Sequence, residues 1–277
     1  MSRIALNIEA VILDDLIDLI EQQNVAQAHE PGSPRVHVAT TTEDLAEATR
    51  VLTKAFVASR DKAWLAWLRP ADIRRVHAGE VDGAERKLGR VIRYLIDAAV
   101  REGGIVVLET AAATEEDAAA GRRMARGAAL RTLPNITAPP SGWLHELIVG
   151  GRAALSAYGL RRTLAARSAS DALQQATEAM RLREGIPERC IWGGMIGVLP
   201  EHEGKRVASR LFRPFHRLAD RHGLCHLLQS SNPDRNDERV FKRFGFQHTG
   251  EFVYGASPMN GVGPYTVKFM VRWPGLS

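Results

Sequence analysis

The sequence predicts an α/β fold, on three observations. Residues 36–109 run strand, helix, helix, strand. Residues 191–218 hold an apolar, glycine-spaced run, a short polar loop and the start of an amphipathic helix. Residues 224–273 add a buried strand, a short helix and two alternating strands.

The chain opens with an amphipathic helix over Asn7–Ala28. Ile8, Val11, Ile12, Leu16, Leu19 and Ile20 form its apolar stripe. Glu9, Asp14, Asp15, Asp18 and Glu21 face the other way, and Asn7 can cap it. The acidic face argues against an anionic membrane surface. Packing on its own domain and a dimer contact are the two readings that stand. Glu30–Arg35, EPGSPR, has the composition of a linker, which sets residues 1–35 apart from a core domain at 36–277.

Val36–Thr40 reads as a strand. Thr41, with Asp44 three residues later, reads as a capping box. The helix it opens turns Leu45, Ala48, Leu52, Ala55 and Phe56 inward. Asp61–Gly79, which holds Trp64 and Trp67, is expected to be irregular. A second helix covers Gly83–Arg101, with Leu88, Ile92, Leu95, Ile96 and Ala99 on its apolar face. Gly103-Gly104 ends it. Ile105–Glu109 is a strand, Thr110–Arg123 a charged, alanine-rich surface loop, and Arg126–Leu133 the return strand. Residues 134–189 form an insertion. The pair Pro139-Pro140 breaks the chain, and Trp143–Leu182 is then mainly helical, with an interruption near Tyr158-Gly159. Its basic residues include Arg152, Arg161, Arg162, Arg167, Arg181 and Arg183. A solvated helical face accounts for them more simply than a nucleic-acid patch.

Ile191–Leu211, IWGGMIGVLPEHEGKRVASRL, carries the chemistry. The apolar run ends at Pro200 and the polar loop Glu201–Arg206 follows. A helix then starts near Val207, with Leu211, Phe215 and Leu218 on one face. The first amides of a helix have no partner within it, and its dipole adds partial positive charge there. This layout can bind a phosphate, with Gly204 allowing close approach and Lys205 and Arg206 supplying charge. An ordinary strand-to-helix turn has the same outline. Leu224–Ser231 is the next buried strand and Asn232–Asp237 a polar loop. Glu238–Phe246 is a short helix ending at Gly245-Phe246, and His248–Tyr254 and Tyr265–Trp273 are strands.

Composition is that of an ordinary globular protein, 45% hydrophobic and 25% charged over 277 residues. A net charge of +5 suits an anionic ligand and is too dilute to argue for nucleic acid. Cys190 and Cys225 lack metal-ligand spacing and read as reduced, buried thiols of a cytoplasmic protein. No run reaches the length of a membrane span, and the first residues lack the pattern of a signal peptide.

Val198, Pro200, Glu201, Gly204 and Ala208, followed by Phe241, Gly245 and Phe246, resemble the motifs of the Gcn5-related N-acetyltransferases (GNATs). These are a V-x-P-E-x-R-G-x-G-x-G/A segment and a later segment ending in Gly-Phe. The resemblance covers residues 186–273 well and 36–134 more loosely. Its branch is the one that includes puromycin-type acetyltransferases and uncharacterised fungal and actinobacterial relatives. It implies a central mixed, twisted sheet flanked by helices, with Cys190 and Cys225 at the starts of neighbouring strands. It implies acetyl-CoA as co-substrate, no metal, and direct transfer to a small-molecule amine through a ternary complex. The expected protein is a monomer or homodimer that binds neither nucleic acid nor membrane.

On that reading Ile196, Gly197 and Val198 line the pantetheine arm, and glycines at 193, 194 and 197 let it approach. The amides of Gly204, Lys205, Arg206, Val207 and Ala208, with Ser209, hold the pyrophosphate. Asn236 or Asp237 takes the place of the family asparagine, and Phe241 closes the thiol end. Candidates for proton transfer are Glu109, Ser230, Ser231 and Tyr254, with Glu251 and His145 beside them. Trp143, His145 and Tyr158 are candidate pocket residues, and His202 a neighbour of the nucleotide. Three residues depart from the pattern. Glu203 replaces Arg or Gln, and it must point away from a pyrophosphate or pair with Lys205 or Arg206. Arg206 replaces Gly, with strain of about 1 kcal/mol if its φ is positive. Phe241 replaces a tyrosine that could protonate a thiolate. The alternative is a GNAT-fold protein that binds a ligand or partner, or does other chemistry, without acetyl transfer.

Overall fold

The computed structural model describes residues 3–28, 32–101, 103–134, 160–236, 240–255 and 263–275. It is an α/β structure built on one seven-stranded mixed sheet. The strands are β1 (Arg35–Val38), β2 (Ile105–Ala111), β3 (Met124–Thr132), β4 (Cys190–Val198), β5 (Cys225–Ser230), β6 (Gln247–Tyr254) and β7 (Tyr265–Arg272). They lie in the order β1-β2-β3-β4-β5-β7-β6. Among the described residues only β4 and β5 pair in parallel, starting at Cys190 opposite Cys225.

Helices cover both faces. On one face lie α2 (Thr42–Ala58) and α5 (Asp82–Arg101), whose Ala48, Leu52, Leu88, Ile92 and Leu95 pack on Val106, Leu108, Ala128, Leu130 and Met195. The other face takes α1 (Arg3–Gln27) and α8 (Val207–His222). Their Ile12, Leu16, Leu211 and Phe215 pack on Val36, Ile105, Val107, Ala129 and Ile191. Every residue of β2 is buried, as a strand covered on both faces must be. Among the described residues no helix is long and apolar enough to cross a membrane.

The N-terminal helix docks on its own sheet. Asn24 Nδ2 donates to the Val36 carbonyl at 2.7 Å and its Oδ1 accepts from the Val36 amide at 2.8 Å, so one side chain covers part of the free edge of β1. Gln23 solves a second backbone problem. Pro214 lies inside α8 and has no N–H for the Arg210 carbonyl; Gln23 Nε2 supplies that bond at 3.0 Å.

The capping box at Thr41 and Asp44 is present. Asp61–Gly79 is not irregular. Asp61 caps α3 (Lys62–Leu65) through its side chain, and Pro70 opens α4 (Pro70–His77). Both are too short to show periodicity in the sequence. The expected loop after β2 contains α6 (Glu115–Ala119), capped by Thr114. Helix α7 (Leu160–Arg183) packs Leu173, Ala176 and Met180 beside Leu227, Phe269 and Val271. The interruption near Tyr158-Gly159, the pair Pro139-Pro140, and Trp143, His145, Arg152 and Asp237 lie outside the described residues. The polar loop after β5 holds α9 (Pro233–Asn236), and a 3-10 turn at Lys242–Phe244 replaces the later part of the expected helix.

Candidate active site

The site grows from the parting of β4 and β5. Their pairing ends at Gly193 opposite Leu228. From there β4 follows β3 as far as Val198 opposite Gly127, while Gln229 and Ser230 follow β7. Gly194 is exposed although it sits mid-strand in the middle of the sheet. The β3–β4 ladder also slips here: Leu130 faces Met195 and Arg131 faces Gly193, leaving Gly194 unmatched. Diverging strands leave backbone donors and acceptors that an extended ligand can pair with.

Two of the three glycines expected to admit a ligand have another use. A Cβ at Gly193 would lie 2.9 Å from Leu228 Cβ, and one at Gly197 2.8 Å from Ala55 Cβ, so each lets a neighbouring element pack close. Gly197 is buried under α2, while Ile196 and Val198 are half-buried. Gly194 alone of the three is open to solvent.

The chain leaves β4 through a 3-10 turn at Pro200–His202, then Gly204 at φ +76° and Arg206 at φ +60°, and enters α8. Arg206 thus holds a left-handed conformation that favours glycine, and it contributes no side-chain cap. The first intrahelical bond is from the Arg210 amide to the Arg206 carbonyl, so the Val207, Ala208 and Ser209 amides have no partner within the helix. Val207 is buried and Ala208 and Ser209 half-buried, while Gly204, Lys205 and Arg206 are exposed. Glu203 pairs with Arg235 of α9 at 2.5 Å, rather than with Lys205 or Arg206. That pairing gives the Glu203 carboxylate a cationic partner outside the loop.

Beneath the loop lies a buried charge cluster. Glu109 is fully buried; Arg126 grips it with both donors (2.5 and 3.0 Å), and Arg210 Nε donates to it at 2.8 Å. Arg210 Nη2 also donates to the Lys205 carbonyl at 2.8 Å, tying the loop to the cluster. Burial, then the charges of Arg126 and Lys205, hold the His202 imidazole below its ordinary range, against the opposing carboxylates of Glu201 and Glu109. Gly127 seats the whole unit, since a Cβ there would collide with Val207 Cγ1. Held by two guanidiniums, Glu109 is an anchor of the loop and not a free base.

The other proton-transfer candidates separate by position. Ser231, just past β5, donates its hydroxyl to Asp61 Oδ2 at 2.7 Å. Asp61 is 3% exposed, and its Oδ1 accepts from the Ala63 and Trp64 amides. Burial pushes its carboxyl above the ordinary range against these bonds. Ser230 is buried in the ladder opposite Lys268. Tyr254 ends β6 and stacks on Tyr265, with ring centroids 4.6 Å apart. Burial raises both phenols, and the Asp61 charge adds to the rise at Tyr265. Glu251 is exposed on β6. Phe241 is core, edge-on to Phe212 at 6.2 Å, and Asn236 is the last residue of α9.

No family model matches the chain, and no curated protein matches it in sequence. Solved structures do match in shape. The histone acetyltransferase HPA2 and related acetyltransferase of Corynebacterium glutamicum aligns over 88% of this chain and 98% of its own, with TM-score 0.51 at 16% identity. A mosquito arylalkylamine N-acetyltransferase like 5b aligns over 87% of this chain and 100% of its own, with TM-score 0.53 at 14% identity. This is the GNAT fold.

Sequence reasoning missed Asp61, Arg126, Arg210 and Gly127. Asp61 had a readable signal, an Asp opening a turn, and Gly127 another, a lone glycine in a strand. Nothing local marks Arg126 or Arg210.

Proposed function

We propose that the chain is an acetyl-CoA-dependent N-acetyltransferase acting on a small-molecule amine through a ternary complex. The observation that carries this is the exposed Gly194 where β4 leaves β5, on the strand that leads into a helix start whose first amides have no helical partner. The loop fits an anionic group: Gly204 has open space around it, Glu203 is neutralised by Arg235, and Arg126 and Arg210 lie below. The amides of Val207, Ala208 and Ser209, with Lys205 and Arg206, hold the pyrophosphate. Backbone around Gly194, flanked by Ile196 and Val198, holds the pantetheine arm.

Bound acetyl-CoA supplies an acyl thioester open to attack by an amine. Asp61 and Ser231 supply the route for the amine proton. Ser231 Oγ keeps its lone pairs free for the incoming proton because its own hydrogen points to Asp61, and it passes that hydrogen on to the carboxylate. A carboxyl raised by burial is a stronger acceptor than an ordinary one. Phe241 offers the departing thiolate no proton; the stacked Tyr254 and Tyr265 phenols are the nearest kind of donor the strands supply, although burial raises both and so weakens them as acids. Residues 36–277 act as the acyltransferase unit.

The test is acetyl transfer to a panel of primary amines, followed by thiol release. Asp61→Asn keeps the shape of the site and removes the acceptor, so kcat falls at least about a hundredfold while the KM for acetyl-CoA stays within about threefold. Equal kcat in both proteins removes Asp61 from the mechanism.

A further inference from the structure

We infer that Arg131 is a positioning residue for the acyl site, acting through its clamp on the β3 and β4 carbonyls at the bulge beside Gly194. This rests on the acyl-transfer reading given above. Arg131 lies on β3, is 1% exposed, and curls back onto its own ladder. Its Nη1 donates to the Leu130 and Met195 carbonyls, each at 2.8 Å. Those two residues are opposite one another on β3 and β4, at the step where the register slips past Gly194. One guanidinium nitrogen therefore bridges both strands at the bulge, beside the exposed Gly194.

The position is an expensive one for an arginine. Phe212 and Phe215 of α8 lie over the guanidinium, with ring centroids at 5.0 and 5.7 Å. Nε and Nη2 find no hydrogen-bond partner among the described residues, and neither do the ring nitrogens of the neighbouring His226 or Nε2 of His216. Asp220, the carboxylate on this face of α8, is engaged by both arms of Arg272 at 2.9 and 2.8 Å. Burial alone brings the Arg131 guanidinium down to about 9, which still leaves it charged at neutral pH. A buried cation with no carboxylate is a poor stabiliser, and an apolar side chain would avoid its desolvation. What the charge does well is hold two carbonyls strongly and directionally. A bulge that carries a soft glycine needs such a clamp if the backbone beside the acyl group is to keep one direction, because small misplacements of a reacting site cost large factors in rate.

The test compares the wild-type chain with Arg131→Met, which keeps volume, and Arg131→Lys, which keeps charge and donors. Circular dichroism and melting establish that each variant folds. The expected result for Arg131→Met is a kcat lower by about tenfold or more, with the KM for acetyl-CoA and the affinity for desulfo-CoA within about threefold of wild type. Arg131→Lys recovers part of kcat. The Gly194 and Met195 amide resonances shift in Arg131→Met and return toward wild type in Arg131→Lys. Wild-type kcat in Arg131→Met, or amide resonances at Gly194 and Met195 that do not move, overturns the inference. If Arg131→Met does not fold, Arg131→Lys decides: a kcat loss with unchanged KM supports the clamp, and a rise in KM alone overturns it. A wild-type protein that neither binds acetyl-CoA nor transfers acetyl defeats the acyl-transfer reading instead, and the inference with it.

Discussion

The buried histidines of α8 and β5 give the protein a defined acid sensitivity. His216 packs against Phe212, Phe244, Phe246 and His226, with ring centroids 5.3 to 5.9 Å away. Burial, reinforced by Arg272 and Arg131 and opposed by Asp220, pushes its imidazole down to about 3. His226 is pushed well below its ordinary value by burial, then by Arg131, His216 and Arg272. Both rings are neutral in the fold, while the unfolded chain binds protons below about pH 6.5. The unfolded state therefore holds more protons, so stability falls as pH falls through that value. Between about pH 8 and pH 5 His216 alone contributes a loss of about 2 kcal/mol, and His226 acts in the same direction. Asp15, Asp44, Asp117, Asp220 and Glu178 are held low, and their losses begin below that window, near the ordinary carboxylate range. Asp61 is raised and has the opposite sign, so the comparison is made against a variant. Urea unfolding at half-unit steps of pH, for wild type and His216→Phe, measures the effect. The wild-type slope exceeds that of His216→Phe by about 1.2 kcal/mol per pH unit near pH 5.5. Equal slopes in the two proteins would refute the reasoning.

Two further perturbations test the machinery of the loop. Glu109→Gln leaves the half-buried Arg126 and Arg210 around a neutral group, and a loss of about 2–4 kcal/mol in unfolding free energy is expected; a change under about 1 kcal/mol means the cluster does not anchor the loop. At the left-handed position 206, Arg206→Gly is expected to be more stable than Arg206→Ala by about 1 kcal/mol in denaturant unfolding, and equal midpoints would remove the claim of strain.

Elements governed by local rules were readable in the chain. Thr41 and Asp44 cap their helix because capping spans three residues, and the run from Trp192 to Val207 declares its strand, loop and helix by periodicity alone. What was illegible depends on partners distant in sequence. Asp61 gains its meaning from Ser231, 170 residues away, and Gln23 from Pro214 in another helix. Glu203 looked unfavourable in the loop because Arg235 stands in a different segment. Glycines were ambiguous for a physical reason: a missing Cβ serves a packing helix at Gly197 and exposed backbone at Gly194, and the sequence writes both the same way. The cost at Arg206 could be stated only as conditional on a positive φ, because only the backbone reveals that sign.

The most direct test of the central claim is calorimetric titration of the full chain with acetyl-CoA, using desulfo-CoA and ADP as controls. Micromolar binding that gains affinity from the pantetheine arm is the predicted result, since the cleft at Gly194 and the amides of α8 are read as one site. No binding at millimolar acetyl-CoA would contradict it, and would leave the fold without its co-substrate.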